Sequence, residues 1–358
     1  MIDVSLSPAL VIGTGLVGAS VALALRDADV EVHLADRRRS HAVVAASLGA
    51  GSIEPIDPGV CRLVVVAVPP NALADVIAEA LERYPHATVT DVGSVKGVPL
   101  AALRTRGLDL ARYCGSHPMA GSQKAGPLTA SGSLFVDRTW VITPHDTSAA
   151  QSVLVVRKLA ELCGARLITM GAQHHDEAVG QVSHVPQLMS ALVAGGLLDL
   201  PAEHLKLAGQ GVRDVTRIAA GDPKLWRQII AANWQALRIE LKEIHTDLGR
   251  LIDVLDDPDA VEAFLDRGRR GTRVLPGKQG GRPVDWAHVV VEIPDTPGSL
   301  ARLFADIEAA GVNVEDITIE HDAERRAGWL GVDVSEEAAE PLADAMIAAG
   351  WNVRPGPR

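Results

Sequence analysis

Short, almost continuous apolar runs alternate with longer amphipathic stretches over residues 1–170. The runs predict strands at 9–12, 30–35, 63–67, 88–91, 113–116 and 139–143. Uninterrupted Val, Leu, Ile and Ala mark strands covered on both faces, as in a parallel sheet. Helix-like segments at 17–27, 40–49, 71–84 and 97–106 separate the first five strands. Alternating β and α elements build a doubly wound α/β sheet. The apolar run 9–25 does not read as a secretory leader, because Asp3 is the only charge before it and such leaders start basic. Five Gly, Thr and Ser positions also make it a poor membrane span.

From 171 to 266 the strand signal vanishes and the periodicity becomes helical, as in 226–237. This predicts an all-helical second domain whose apolar surplus suits a subunit interface. Residues 267–283 hold five glycines, two prolines, six basic residues and no acid, and predict a basic linker without regular structure. The remainder, 284–358, reads strand 286–293, helix 299–310, strands 313–321 and 328–334, helix 337–349, and an optional strand 351–353. That is a small βαββαβ module.

Charge and composition narrow the function. The 358-residue chain carries a formal charge of −11, and residues 284–358 alone hold 15 acids against 5 Lys and Arg. Aromatic residues make up 3%. Such a chain lacks the basic surface and stacking platforms that nucleic acids require. Cys61, Cys114 and Cys163 are too few and too scattered for a disulfide framework or a zinc site, which points to a reducing, cytoplasmic setting.

Gly13-Thr14-Gly15-Leu16-Val17-Gly18 follows the first strand and opens a helix. The first glycine allows the tight turn, the second lets backbone approach a pyrophosphate, and the third allows close helix–strand packing. The free N–H groups of the helix then face the phosphates. Asp36 ends the second strand 18 residues beyond Gly18, where a carboxylate binds a ribose 2′-hydroxyl. Asp36 favours NAD, whereas Arg37, Arg38 and Arg39 suit the 2′-phosphate of NADP. Val68 and Pro69 close the third strand on the cofactor side. Ser94, Lys96 and His117 follow neighbouring strands at the same sheet edge. His117 is the natural base, since imidazole titrates near neutral pH, and a hydrogen bond from Ser94 would fix its tautomer. In the helical region His174, His175 and Asp176 precede Ser183 and His184, but the spacing does not make a metal site, so no metal is expected. Arg213 and Arg217, four apart, place two guanidiniums on one helical face for carboxylate recognition.

Taken together the motifs resemble the prephenate dehydrogenase family of tyrosine biosynthesis, in the form with a C-terminal ACT domain. The resemblance rests on the glycine loop, D-x-x-S-V-K at 91–96, G-S-H-P-M-A-G at 115–121, S-H-x-P at 183–186, and R-D-x-T-R-I-A with D-P and Trp226 at 213–226. It implies a Rossmann domain, a helical dimerisation domain and a ferredoxin-like ACT domain. It implies NAD-dependent oxidative decarboxylation of prephenate to 4-hydroxyphenylpyruvate in a homodimer, without nucleic-acid or membrane partners. By position in the family, His117 takes the hydroxyl proton and Ser94 orients it. Lys96 lies near substrate and cofactor, Arg217 binds a substrate carboxylate, and His184 lines the pocket. Many prephenate-using members carry histidine where this chain has Gln187, so arogenate stays open as the substrate. Asp295, Gly298 and Asn313 match the ligand-binding turn of ACT domains and imply tyrosine as effector. A β-hydroxyacid dehydrogenase would need a G-x-x-G-x-G-x-x-x-K pattern that is absent. An amino-acid-sensing regulator would not need Ser94, His117 and Arg217 together.

Overall fold

The computed structural model describes residues 5–121, 126–275, 286–322 and 327–355. The chain forms two compact units, Met1–Gly249 and Arg250–Arg358.

The first unit begins with β1 (Ala9–Ile12), α1 (Leu16–Asp27), β2 (Val32–Ala35), α2 (Arg39–Ser47), β3 (Leu63–Val66), α3 (Leu73–Arg83), β4 (Thr88–Asp91) and α4 (Gly97–Thr105). The four strands form a parallel sheet in the order β2-β1-β3-β4, with Ala9 level with Val32 and with Leu63. Alternate residues explain the continuous apolar runs. Ala9, Val11, Leu63 and Val65 face one core with Leu25, Trp140 and Leu159. Leu10, Val64 and Val66 face the other with Ile77, Leu103 and Tyr113. Both faces are dry, so polar alternation never arises. A parallel bridge from Val89 to Tyr113 leads into β5 (Gly115–Pro118). A second sheet follows, with β6 (Thr139–Thr143) antiparallel to β5 and parallel to β7 (Arg166–Thr169) across α5 (Ala150–Leu162). β7 escapes sequence reading because it is half exposed and has no apolar run.

The helical stretch consists of α6 (Ala172–Val179), a π-turn (Gly180–His184), α7 (Val185–Gly196), a 3₁₀ turn (Leu197–Asp199), α8 (Ala202–Leu205), α9 (Gln210–Thr216), a second 3₁₀ turn (Arg217–Ala220), α10 (Pro223–Ala232), α11 (Trp234–Asp253) and α12 (Pro258–Thr272). α12 corrects the expectation for the linker. Residues 267–272 continue the helix, with Gly268 and Gly271 inside it. A helical glycine costs only about 1 kcal/mol. Asp257 caps the first turn by accepting from Asp259 N–H (3.1 Å) and Ala260 N–H (3.2 Å). Asp266 pairs with Arg269 (2.6 Å) and Arg270 (3.1 Å) one turn on. The rest of the expected linker, 276–283, lies outside the described residues.

The C-terminal module is β8 (Trp286–Pro294), α13 (Ser299–Ala309), β9 (Asp316–Asp322), β10 (Ala327–Ser335), α14 (Glu336–Ala348) and β11 (Val353–Pro355). Its antiparallel sheet runs β11-β8-β10-β9, a ferredoxin-like arrangement. Val289, Val291, Leu330 and Val332 on one sheet face pack with Leu303 of α13 and Leu342 of α14. Among the described residues no helix is long and apolar enough to cross a membrane. The three cysteines are buried and free. Burial pushes the Cys61 thiol up to about 11 and those of Cys114 and Cys163 to about 12, so none is a ready nucleophile.

Candidate active site

The β1–α1 loop has the form that a dinucleotide pyrophosphate requires. Gly13 adopts φ +96°, and a Cβ there would strike the Ala67 carbonyl at the end of β3. A Cβ on Gly18 would strike the Gly13 carbonyl, so the helix can only sit this close without one. Gly15 borders open space and starts α1 with no side-chain cap, which leaves the first N–H groups of the helix to a ligand. Leu16 and Val17 form that first turn, and Thr14 is fully buried. Val68 lies close beside Gly13, and Pro69 is exposed at the same edge.

Asp36 stands just past β2. Its Oδ2 accepts from Thr14 N–H (2.7 Å) and Thr14 Oγ1 (3.1 Å), and its Oδ1 accepts from Arg38 N–H (2.7 Å). A carboxylate accepts about four hydrogen bonds, so one site remains for a ribose hydroxyl. The same side chain therefore shapes the glycine loop and keeps acceptor capacity for a ligand. Arg37, Arg38 and Arg39 are exposed beside it.

His117 lies within β5 rather than in the loop after it, level with Val141 of β6. The ring is half-buried. Burial, followed by His175, Lys96 and His184, holds its pKa well below the usual 6.5, so the imidazole is neutral and able to accept a proton. The partner of its Nδ1 is His175 Nε2, at 2.9 Å. Among the described residues Ser94 makes no hydrogen bond to His117, and the structure gives His175 the place expected of Ser94. Ser94 sits half-buried in the turn after β4.

Lys96 also differs from the sequence expectation. Its ammonium is buried, with 1% of the residue exposed, and donates to Asp91 Oδ1 and to the Ser116 carbonyl (2.6 Å). Tyr113 donates its hydroxyl to Asp91 Oδ2 (2.8 Å), and Gly93 N–H donates to Oδ1 (2.9 Å). The pair is thus an internal brace joining β4 to β5.

His184 comes from the π-turn. Pro186 lacks the N–H that would bond the carbonyl four residues back, and the widened turn accommodates its ring. His184 is buried and stands edge-on to Trp226, with ring centroids 5.9 Å apart. Asn233 Nδ2 donates to His184 Nδ1 (3.2 Å) and to the Asp176 carbonyl (2.7 Å). Burial lowers the His184 pKa to about 4, so Nδ1 accepts and Nε2–H is the donor. Trp226 is held by the D-P sequence, since Asp222 caps α10 by accepting from Lys224 N–H (2.9 Å) and Pro223 occupies its first turn. Gln187 is buried in the first turn of α7.

Arg213 lies in α9, but Arg217 opens the following 3₁₀ turn, so the two do not share one α-helical face. Both residues are exposed. Ser190 of α7 pins this segment: its hydroxyl donates to the Val215 carbonyl (2.7 Å) and accepts from Ala219 N–H (3.1 Å). In the C-terminal module Gly298 adopts φ +92° at the start of α13, Asp295 is exposed, and Asn313 donates to Glu315 Oε1 (2.6 Å).

Sequence reasoning passed over three residues in this centre. His175 and Asp176 were visible only as an unconvincing metal pair, and Asn233 carries no local signal at all. Among the described residues no group of His, Cys, Asp and Glu could hold a metal ion.

Comparison with known proteins agrees with the geometry. Residues 21–169 match the nucleotide-binding domain of prephenate dehydrogenase, and residues 171–266 match its dimerization domain. The probable prephenate dehydrogenase NovF of Streptomyces niveus is 33% identical over 356 residues, covering 96% of this chain and 98% of that protein. A crystal structure of prephenate dehydrogenase from A. aeolicus, in complex with hydroxyphenyl propionate and NAD+, superposes with a TM-score of 0.68 at 26% identity, covering 76% of this chain and 99% of that one. A Synechocystis arogenate dehydrogenase structure gives a TM-score of 0.64 at 25% identity, over 74% of this chain and 98% of that one. With a dinucleotide loop, a neutral histidine in the same compact unit and both domain signatures in order, the chain belongs to the prephenate dehydrogenase family.

Proposed function

We propose that this NAD-dependent dehydrogenase converts prephenate to 4-hydroxyphenylpyruvate. The observation that carries the reading is His117, a neutral imidazole set in the nucleotide-binding unit and hydrogen-bonded through Nδ1. Its Nε2 takes the proton of the ring hydroxyl. Bound NAD supplies the hydride acceptor for C4, and loss of carbon dioxide then leaves an aromatic ring. The proton returns from His117 to the phenolate oxygen, so the base is regenerated. His184 Nε2–H donates to the substrate, and Arg213 and Arg217 bind its carboxylates. Gln187 faces the choice between a keto-acid and an amino-acid side chain. Arogenate is the second reading, favoured by glutamine at this buried position.

The test is absorbance of reduced nicotinamide with NAD and prephenate, repeated with arogenate. Turnover of prephenate is the expected result. Turnover of arogenate alone would replace the substrate while keeping the base. Asp36 is tested in the same assay. Asp36→Ser removes a charge-assisted contact to the ribose, and the KM for NAD should rise roughly tenfold or more while that for NADP does not. An unchanged KM for NAD would show that Asp36 serves the loop alone.

The helical region supports a homodimer. Leu192 (69% exposed), Leu198 (88%) and Ile239 (61%) are open to solvent in the single chain. Leu188, Ile230, Trp234, Leu237 and Leu241 line an apolar groove. Apolar surface of this extent belongs in an interface. The C-terminal module is read as an ACT domain that binds tyrosine at the Gly298 turn, with Asp295 and Asn313 as contacts. Added tyrosine should then lower turnover, because an effector acts only by favouring one conformation.

A further inference from the structure

We propose that His175 and Asp176 form a positioning relay that sets the tautomer of His117, so that Nε2 carries the lone pair the reaction needs. This rests on the reading of His117 as the base. His175 is fully buried, and its ring meets that of His117 edge-on with centroids 5.1 Å apart. His117 Nδ1 and His175 Nε2 are 2.9 Å apart, and His175 Nδ1 is 2.8 Å from Asp176 Oδ1.

The protons in this chain follow from what each atom can do. Asp176 Oδ1 accepts from Lys96 N–H (2.8 Å), and Oδ2 accepts from Gly97 N–H (2.7 Å). These amides can only donate, so they orient an acceptor-only carboxylate toward His175. His175 Nδ1 therefore carries hydrogen and donates. In the neutral ring Nε2 is then bare and accepts. The hydrogen between the two rings belongs to His117 Nδ1, which leaves His117 Nε2 unprotonated. When Nε2 takes the hydroxyl proton, the cation formed on His117 is shared along the Nδ1–H bond toward the Asp176 carboxylate. The proton leaves again from Nε2 to the phenolate, and no proton moves through His175. Its role is orientation and tautomer choice, as a third group does for any paired base.

The experiment compares His175→Leu, His175→Gln and His117→Asn in the full-length protein. It measures kcat, KM and melting temperature, together with ¹⁵N NMR of histidine-labelled enzyme, the His117 signal being assigned by its loss in His117→Asn. The wild type should show His117 protonated on Nδ1 and bare on Nε2. His175→Leu should lower kcat on the order of 10²–10³-fold with KM for prephenate within about twofold, and should let the proton move to Nε2. In His175→Gln the amide oxygen replaces Nε2 as acceptor, and kcat should return to within about tenfold of wild type. A His117 signal protonated on Nε2 in the wild type overturns the relay. So does a folded His175→Leu enzyme of normal kcat. If the leucine variant does not fold, the wild-type tautomer and the glutamine variant decide. His117→Asn of normal kcat would instead defeat the underlying reading of His117 as base, whereas an inactive His117→Asn beside a normal His175→Leu defeats the relay alone.

Discussion

Replacing His117 by asparagine lowers kcat by about 10²–10⁴-fold, the range for removal of a positioned base. KM for prephenate should change far less, because the missing interaction strengthens as the hydroxyl proton is lost. The pH dependence follows from the same ring. Burial, reinforced by His175, Lys96 and His184, depresses its pKa well below 6.5. The base works unprotonated, so the rate is already at its plateau at neutral pH. It stays there as pH falls through 6.5 and drops only where the depressed pKa is reached. A kcat/KM profile in the wild type checks this, and an acidic limb centred at or above 6.5 would contradict the assignment.

Lys96→Met should destabilise the protein by about 3–5 kcal/mol, the usual cost of breaking a buried ion pair from one side. The Asp91 carboxylate would keep its bonds from Tyr113 and Gly93 but lose its counter-charge. For a unit of this size the melting temperature should fall by roughly 10 °C. Lys96→Met combined with Asp91→Leu should recover much of that loss, since the uncompensated charge is then gone. A Lys96 variant with unchanged melting but a raised KM would restore the ammonium to the substrate side.

The βα alternation was legible because a parallel sheet covered on both faces leaves an unmistakable apolar run at each strand, as at 63–66. The C-terminal module was legible for the opposite reason. Alternation along β8 and β10 puts Val289, Val291, Leu330 and Val332 on one face, and turn residues separate the elements. The tight turn at Gly13 and the close helix packing at Gly18 could be read because each depends on a few neighbours. Lys96 could not. Whether its ammonium points outward or inward is decided by Asp91 and by the carbonyl of Ser116, 20 residues further on. His175 and Asp176 were hidden in the same way, since their meaning comes from a strand 58 residues earlier. Glycine content alone predicts an irregular segment at 267–272, whereas the Asp257 cap and the ion pairs of Asp266 carry α12 through it.

Asp176 has a further consequence. α4 has no capping side chain of its own, and the amides of Lys96 and Gly97 are satisfied by a carboxylate from α6. A side chain at Gly97 would press on that carboxylate. The nucleotide-binding half thus borrows one of its structural parts from the helical half. Transplanting residues 1–170 onto a foreign helical partner would export a helix with two unanswered donors at its start. The boundary between these halves can be drawn along the chain, but it is not a line at which evolution or an engineer can exchange parts freely.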